Sequence, residues 1–425
     1  MKSRRMGNLP MKILEKHGRA LADHDYGLRI WIPVDIIFHD ILTRLPVKSL
    51  LRFQCVCKSW CCFLSRNDPS FIDLHLSRSW SRHDDTKLLI SAHGSKLRQC
   101  LLIVDLEGGK FTQALTVTNE ANLSDISENI NGLVCWQHVG LTCRIESTYI
   151  CNPSTREFMK LPKVPQIKSG GCIISAHVSN HFGFVPSSKE FKVLNIQATE
   201  RDSETVFWIF TLGGNSWRQI YPGLPFTIGV GKLAMWLTYS KKCVCFNGAL
   251  HWLLGAMKVI VVFGLRDEKF HLILLPVNCR YACAIPNRIV LLHGHLGVLF
   301  NIYDNSNFKY KRTEVWTLED YQNKIWMKDS FTISSIYSCK LWAGIIWPIP
   351  KGKILRILNS SSEEDAAMDE HRVLWYDPEQ NSFLKVQIPK LDEGWQLDIH
   401  GSVSYTETLQ PLLSFSAKPP EKLVN

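Results

Sequence analysis

The chain has 425 residues, enough for a small module and one large domain, and its 45% hydrophobic and 21% charged residues exclude wholesale disorder. The net charge of +10 comes from 49 basic and 39 acidic residues, and the basic side chains are scattered, which argues against nucleic-acid binding. No apolar run reaches the ~18–20 residues of a membrane-spanning helix, so no membrane association is predicted and we expect a soluble protein.

The first 31 residues are basic and poorly periodic and predict a flexible leader. No hydrophobic segment of a secretory signal follows the basic start. The 14 Cys lie mostly in apolar strings such as Cys55-Val56-Cys57, which is typical of reduced thiols in a protein core. We therefore expect a cytoplasmic or nuclear protein without disulfides.

Residues 32–76 predict three short helices. Ile37, Ile41 and Leu45 recur every four residues and share one face of the first helix, which Pro46 must end because it lacks the amide donor.

A second helix is predicted from Val47 to about Phe63, and Asp68-Pro69 predicts the start of a third, since an acidic cap followed by proline is a start signal. So small a module buries little surface alone, and we expect a partner or the next domain to cover part of it.

Beyond residue 85 the chain alternates between apolar and polar residues, and six segments share the form of a short apolar strand, a polar turn and an aromatic anchor. The anchors are Phe111, Phe158, Trp217, Phe270, Trp326 and Phe383. They are separated by 47, 59, 53, 56 and 57 residues. This period is close to the ~50 residues of a kelch-type propeller blade.

A second motif repeats in the same phase. Asn131-Gly132 recurs as Asn247-Gly248, 116 residues later, which is two periods of 58. Each pair predicts a tight turn into a strand. A β-sandwich would also show regular hairpins, so it stays open as the alternative to a propeller.

The sequence thus predicts a mainly β protein with a small α module, in which a three-helix N-terminal module precedes a β-propeller-like domain of about six repeats. The predicted divisions are a leader (1–31), the helical module (32–76), a linker with the first strand (77–100), the β domain (101–410) and a C-terminal tail (411–425).

The helical stretch closely resembles the F-box, especially its plant form. The resemblance is carried by Ile32-Pro33, by the run Leu45-Pro46-Val47-Lys48-Ser49-Leu50-Leu51-Arg52-Phe53-Gln54-Cys55-Val56-Cys57-Lys58-Ser59-Trp60, and by Asp68-Pro69-Ser70-Phe71. One departure is that Ile32-Pro33 lies one residue further from Ile41-Leu42 than is usual, with Ile32 in place of the commoner Leu.

F-box helices dock onto a Skp adaptor, which links the receptor to a cullin and a RING subunit of an SCF-type ubiquitin ligase. The resemblance implies that the residues at or beside the adaptor interface are Pro33, Ile41, Leu45, Pro46, Leu50, Leu51, Val56, Lys58 and Trp60. Trp60 is the leading energetic anchor, because buried Trp is frequent among interface hot spots. In the alternative, Trp60 and Phe53 pack internally and only the Leu-Pro elements touch the adaptor.

The β domain resembles the F-box-associated domain found behind plant F-boxes. The resemblance is carried by Asn131-Gly132-Leu133, Asn152-Pro153-Ser154-Thr155-Arg156 with Leu161-Pro162, His181-Phe182-Gly183-Phe184 with Phe191-Lys192-Val193, Asn215-Ser216-Trp217-Arg218, and Val315-Trp316-Thr317-Leu318-Glu319-Asp320-Tyr321. It implies a propeller-like domain that holds a protein substrate. The sequence names no substrate-binding residues, because such a surface is built from loops of several blades.

The sequence shows no phosphate-binding Gly-rich loop and no Gly-x-Ser-x-Gly elbow, and no catalytic residue or cofactor is predicted. Cys279, Cys283, His293 and His295 have the one metal-like spacing, but they form no Cys-x-x-Cys pair, which favours buried thiols over zinc. The acidic stretch at 359–370 predicts a solvated loop.

Three functions remain open from the sequence. The first is a non-catalytic substrate receptor of an SCF-type ligase, which binds a Skp adaptor and sends a protein substrate to ubiquitination and proteasomal degradation. The second is an adaptor-independent propeller scaffold or binding protein. The third is a propeller enzyme with a copper site of Tyr and His ligands, for which the sequence shows no spacing signal.

Overall fold

The structure is a computed structural model of the chain. It describes residues 33, 36–56, 58–64, 68–81, 87–94, 98–105, 111–118, 123–127, 129–139, 145–169, 172–173, 176–199, 205–223, 237, 243–276, 284–292, 294–303, 310–331, 345–348, 354–358, 372–377, 382–386, 395–412, 415 and 421–422. The leader predicted over 1–31 and the acidic stretch at 359–370 lie outside these residues.

The described residues of the helical module form five short helical elements. They are a π-helical turn (Ile36–Ile41), a 3-10 turn (Leu42–Arg44), α1 (Val47–Phe53), α2 (Lys58–Leu64) and α3 (Pro69–Ser81). The first predicted helix is therefore present as a wide turn followed by a tight one, not as an α-helix. Pro46 ends it as predicted, and Leu45 before it is extended, with φ −86° and ψ 149°, as the steric demand of a following proline requires.

The second predicted helix, Val47 to Phe63, is interrupted, so the prediction of one continuous helix is wrong. α1 ends at Phe53, and the N–H groups of Cys55 and Val56 bond to carbonyls three residues earlier, at 3.0 and 3.1 Å. Such bonds tighten the last turn of a helix and stop it. The sequence there is poor in strong helix formers, and the break leaves Val56 66% exposed.

The third helix, α3, begins at Pro69 as predicted. The Asp68 carboxylate caps it by accepting hydrogen bonds from the Ser70 N–H at 2.9 Å and the Ser70 hydroxyl at 2.7 Å. These bonds, the hydroxyl first, hold the pKa of Asp68 below its ordinary value. The helix continues to Ser81, past the predicted end of the module at residue 76.

The rest of the described chain is mostly β-strand. In chain order the strands are β1 (Lys87–Gly94), β2 (Arg98–Asp105), β3 (Phe111–Thr118), β4 (Leu123–Ile126), β5 (Val134–Val139), β6 (Ile145–Asn152), β7 (Glu157–Lys160), β8 (Lys168–Ser169), β9 (Cys172–Ile173), β10 (Ala176–Val185), β11 (Glu190–Thr199), β12 (Thr205–Thr211), β13 (Arg218–Ile220), β14 (Val244–Phe246), β15 (Ala249–Leu254), β16 (Val259–Gly264), β17 (Phe270–Leu274), β18 (Ala284–Leu292), β19 (His295–Tyr303), β20 (Tyr310–Asp320), β21 (Ile325–Phe331), β22 (Ile345–Pro348), β23 (Ile354–Leu358), β24 (Arg372–Asp377), β25 (Ser382–Val386), β26 (Trp395–Tyr405) and β27 (Glu421–Lys422). A 3-10 turn (Gly255–Met257) follows β15.

These strands form six antiparallel sheets of four or five strands, which we call blades 1 to 6. Blade 1 has the order β26-β1-β2-β3, and blade 2 has β4-β5-β6-β7 with β27 added at its outer edge. Blades 3 to 6 are β10-β13, β14-β17, β18-β21 and β22-β25, each in sequential order. Strands β8 and β9 pair separately. Six such sheets, of which the first is completed by a strand from the other end of the domain, are the arrangement of a propeller, whereas a sandwich would divide its strands between two sheets.

The repeat counted in the sequence coincides with the blades. Each aromatic anchor lies in, or next to, the fourth strand of its blade, directly after the turn from the third strand. The described anchor side chains are held against the blade cores: Phe158, Trp217 and Phe270 are buried, and Trp326 is half-buried. The near-constant spacing of the aromatic anchors therefore arises because each blade has one such residue after the turn between its third and fourth strands.

The two Asn-Gly pairs also fall at equivalent places. Asn131-Gly132 joins the first and second strands of blade 2, and Asn247-Gly248 does so in blade 4, two blades on. All four residues have positive φ, between 47° and 83°, which the tight hairpin turns favoured between twisted strands require. The prediction of tight turns at both pairs is confirmed.

The core of the β domain is a series of apolar layers between neighbouring blades. Separate clusters of buried side chains join blades 1 and 2, 2 and 3, 3 and 4, and 4 and 5. Because β26 pairs with β1 along Lys87–Gly94, the last long strand of the chain completes the first blade. Strand pairing within blade 1 thus joins the two ends of the β domain.

Candidate functional site

Among the described side chains of the helical module, three large apolar ones are exposed. Ile36 is 45% exposed, Ile41 41% and Val56 66%. Pro33, Pro46 and Lys58 are also exposed. We call these six residues the outer surface of the module. Several exposed apolar side chains on so small a module are available for contact with a partner.

The Leu45-Pro46 corner is fixed from behind by α3. The buried His75 contacts the Leu45 carbonyl oxygen through Nε2 at 2.9 Å. The Arg78 guanidinium donates to the Asp40 carboxylate at 2.9 Å and to the Thr43 hydroxyl. These bonds hold the end of the first helical turns against α3, so the position of the corner is set by the third helix of the module.

The residues predicted at or beside the adaptor interface divide into exposed, half-buried and buried groups. Leu50 is 0% exposed and packs inside the module with Phe38, Leu42 and Phe71. In the free chain Leu50 offers no surface to a partner, and its place at or beside the adaptor interface stays a prediction. Leu45, Leu51 and Trp60 are half-buried and border the same core.

Trp60 packs against two aromatic neighbours. Its ring lies 5.3 Å from that of Phe53, nearly edge-on at 79°, and 6.2 Å from that of Phe38. The internal packing of Trp60 and Phe53 that the sequence left open is therefore present. Trp60 remains half-buried, so part of its ring stays available to a partner.

Sequence reasoning missed Ile36 and two residues from the far end of the chain. Glu407 accepts a hydrogen bond from the Val47 N–H, the first residue of α1, at 2.8 Å, and Leu409 is buried in the core of the module. No local pattern could have signalled these contacts, because 360 residues separate Glu407 from Val47.

The module lies at one end of the blades. In antiparallel blades the first-to-second and third-to-fourth turns share one end, which we call the module face. Lys189, in the first-to-second turn of blade 3, pairs with Asp73 of α3 at 2.5 Å. Thr408, between the Glu407 and Leu409 contacts to the module, lies against the Asn131-Gly132 turn of blade 2. We call the opposite end of the blades the open face.

Buried polar side chains between blades 2 and 3 form a connected network. Gln137 donates to the Asn180 carbonyl at 2.7 Å, Asn180 donates to the Thr148 hydroxyl at 2.7 Å, and Asn195 donates to the Asn180 amide oxygen at 2.6 Å. Gln197 then donates to Asn195 at 3.0 Å. Each amide is paired with another protein group, which is the behaviour of a structural network rather than of a reactive site.

Two buried histidines are held neutral. Burial lowers the pKa of His181 from 6.5 to about 3, and burial likewise lowers that of His251 to about 4. His251 Nδ1 faces the Val244 carbonyl at 3.2 Å, so it carries the proton, and Nε2 accepts from the Tyr321 hydroxyl at 2.8 Å. The His181 ring packs edge-on against Trp252. Both rings therefore act as neutral packing groups.

This burial predicts acid destabilisation. Unfolding restores a pKa near 6.5 to both histidines. The unfolded state therefore binds protons that the folded state does not bind, and the free energy of unfolding falls as pH drops below about 6.5. At about pH 5 the loss is about 2 kcal/mol for each histidine. Chemical unfolding at about pH 7 and about pH 5 should show this loss, and His181→Gln with His251→Gln should remove most of it. An unchanged pH dependence in that variant would contradict the assignment.

Of the four Cys and His residues with metal-like spacing, the structure describes only His295. Cys279, Cys283 and His293 lie outside the described residues, and His295 lies 3.7 Å from the Glu319 carboxylate. The described residues contain no group of three or more potential metal ligands. Cys135 and Cys151 are buried, and burial raises the pKa of the Cys151 thiol well above its ordinary value. Among the described helices, none has the length and apolar character needed to cross a bilayer.

Two family models match the chain, and together they cover the module and the blades. The model described as F-box domain matches residues 32–71, and the one described as F-box associated beta propeller domain matches residues 88–408.

Relatives from Arabidopsis thaliana are similar over most of the chain. F-box protein At5g65850 is 29% identical over 322 residues, 72% of this chain and 71% of that protein. F-box protein CPR1 is 24% identical over 400 residues, 87% of each chain. Among solved structures, a chain of the nidogen/laminin complex aligns over 76% of this chain and 99% of its own, with 9% identity and a TM-score of 0.40.

An F-box followed by this propeller supports a general role in substrate recognition for SCF ubiquitin ligases, in which the F-box binds the Skp adaptor. Proteins with these two domains typically bring substrates to the ligase and are not themselves catalytic. The matched propeller model spans most of the chain and agrees with the six blades. The chain therefore belongs to the plant F-box proteins that carry an F-box-associated β-propeller domain.

Proposed function

We propose that this chain is the substrate-recognition subunit of one SCF-type ubiquitin ligase, acting in the cytoplasm or nucleus. The helical module binds the Skp adaptor and, through it, the cullin and RING subunits. The propeller binds a protein substrate, which is then ubiquitinated and degraded by the proteasome. The chain supplies no transfer chemistry, and its contribution is to hold the substrate near a ubiquitin-loaded partner.

The observation that carries this proposal is the exposure of Ile36, Ile41 and Val56 on a module whose remaining core is packed. Covering such a side chain in an adaptor groove stabilises the complex by about 1.5–3 kcal/mol if its burial is complete. Three of them would supply much of the affinity of a specific complex, with Pro46 and Lys58 placed on the same outer surface.

The open face of the propeller is the proposed substrate side. The module occupies the module face through Asp73, Val47 and the core that encloses Leu409. At the open face the second strand of each blade ends and the third strand begins. Loops of several blades converge at such a face, which suits recognition of a protein surface.

An adaptor-independent propeller scaffold is the second candidate. The observation that favours it is Leu409, which buries itself in the module and shows that the propeller already covers part of the module. Under this reading the helices serve as an internal packing element.

Protein turnover in plant cells separates the two candidates. Proteins that bind the full chain should accumulate when the proteasome is inhibited, and should turn over faster when the chain is overproduced. A variant with Ile41→Asp and Val56→Asp should still bind them through the propeller but should leave their lifetime unchanged. Equal turnover with wild type and variant would support the scaffold and overturn the receptor proposal.

A further inference from the structure

A segment near the end of the chain runs between the propeller and the F-box. We call residues Tyr405–Leu412 the strap. It leaves β26 at the module face and lies along blade 2, with Tyr405, Thr408, Leu409 and Leu412 all buried. Nothing in the amino-acid pattern of this segment marks it as a regular helix or strand, so its shape depends on what it contacts.

Two side chains of blade 2 form hydrogen bonds with the backbone of the strap. The buried Asn152 amide donates to the Thr408 carbonyl at 3.1 Å and to the Gln410 carbonyl at 2.9 Å. The Leu412 N–H donates to the Glu157 carboxylate at 3.0 Å. Both of these blade residues flank the third-to-fourth-strand turn, so the strap is fixed to the module face of blade 2.

A close approach of the Thr408 side chain to the Gly132 backbone supports the same fixation. A Cβ atom on Gly132 would lie 2.2 Å from the Thr408 Cγ2 atom, far inside any allowed contact, and Gly132 has φ +83°. Only glycine satisfies both conditions at this turn. The Asn-Gly turn therefore serves the strap as well as the hairpin.

The other side of the strap holds the F-box. One oxygen of the Glu407 carboxylate accepts the Val47 N–H at the start of α1, and the other pairs with the Lys87 ammonium at 2.8 Å. The Lys87 and Glu407 side chains are 17% and 18% exposed, so solvent screens this pair only in part. Leu409, two residues on, is 8% exposed within the F-box core.

The second contact between the two domains is weaker. Lys189 and Asp73 form an ion pair whose side chains are 67% and 55% exposed, and such pairs typically contribute less than about 1 kcal/mol. The covalent connection between α3 and β1 covers residues 82–86. Of these contacts between the F-box and the propeller, those made by the strap are buried and the Lys189–Asp73 pair is exposed.

We propose that the strap is a positioning device that fixes the orientation of the F-box relative to the propeller. Glu407 and Leu409 are its positioning residues, and blade 2 is its anchor. The strap sets a constant distance between the adaptor-binding surface and the open face, so that a substrate on the propeller is presented at a fixed place to the ligase. The consequence for ubiquitination rests on the proposed function, but the orientation itself does not.

The test measures the distance between the domains in the isolated full-length chain. Bioorthogonal spin labels in place of the exposed Arg52 on α1 and the exposed Met327 on β21 avoid the native cysteines. Pulsed electron resonance of the otherwise wild-type chain should give one narrow distance distribution. Glu407→Ala with Leu409→Ala should broaden it at least twofold, while the melting temperature of the β domain stays within the change seen for the control.

The control is Glu319→Ala with Leu274→Ala, which removes an exposed carboxylate and an exposed leucine from the outer parts of blades 5 and 4. It should leave the distribution narrow. A narrow, unshifted distribution in the strap variant would overturn the proposal, and so would a broad distribution in the wild-type chain. Because no adaptor is present, failure of the proposed receptor function would leave this measurement unaffected, and the two failures are distinguishable.

Discussion

Replacing Ile41 and Val56 with aspartate is expected to weaken binding of the Skp adaptor at least about 100-fold, which corresponds to about 2.7 kcal/mol. Both side chains are exposed, at 41% and 66%, so the charges are hydrated in the free chain and the fold is retained. In an adaptor groove they would lose that hydration without a partner charge, which costs several kcal/mol. Calorimetric titration of the full chain with the adaptor measures the effect.

The matched control is Leu274→Asp with Met327→Asp, which places two charges at apolar positions that are 59% and 58% exposed on the outer strands of the propeller. This variant should bind the adaptor as the wild type does. Retained binding in the F-box variant, or equal loss in both variants, would contradict the assignment of the outer surface. Exposed positions make a sharper test than Leu45 or Leu50, since a charge there would also disturb the module core.

Replacing Asn195 with leucine is expected to destabilise the propeller by about 2–4 kcal/mol, because buried polar groups left without partners each cost about 1–3 kcal/mol. Asn195 is 0% exposed. Its loss leaves the Asn180 amide oxygen without its donor and one hydrogen of the Gln197 amide without its acceptor. Denaturant unfolding, followed by near-ultraviolet circular dichroism, reports the change.

Asn323→Leu is the control, since Asn323 is exposed in the turn before β21 and bonds only locally to Asp320 among the contacts described. It should change stability by less than about 1 kcal/mol. Adaptor affinity should be unchanged in both variants at a temperature where both are folded, because the network lies between blades 2 and 3. A stability equal to wild type in Asn195→Leu would show that the network does not hold these blades together.

The number of blades was predictable because each blade repeats one local feature, an aromatic residue after the turn into its fourth strand. The turn into the fourth strand needs an aromatic side chain to close the blade core, and Phe158, Trp217 and Phe270 show this burial. The Asn-Gly turns were predictable for a similar reason, since few residue pairs tolerate positive φ twice in succession.

The helical segments of the module were predicted in the right places, but the second was predicted as continuous and the structure interrupts it. Periodicity joined Phe53, Val56 and Trp60 into one helix, although the chain turns between α1 and α2. Periodicity measures which residues share a face, and a tight turn can preserve that face while ending the helix.

The strap could not be predicted, because its function depends on residues hundreds of positions away. The pattern around Glu407 and Leu409 is that of an ordinary loop, and residues beyond 410 were assigned to a C-terminal tail. In the structure, Leu412 is buried and β27 pairs with β7 of blade 2. The blade arrangement brings these parts together, and no local rule encodes that arrangement.

The central claim is that this chain joins an adaptor to a substrate domain, and the most direct test is co-purification of the full-length chain with a Skp adaptor. We predict a stable one-to-one complex that survives size-exclusion chromatography with wild type and with Leu274→Asp/Met327→Asp, and that is absent with Ile41→Asp/Val56→Asp. If the folded wild-type chain forms no complex with any Skp adaptor of its own species, the F-box is an internal packing element and the receptor account is contradicted.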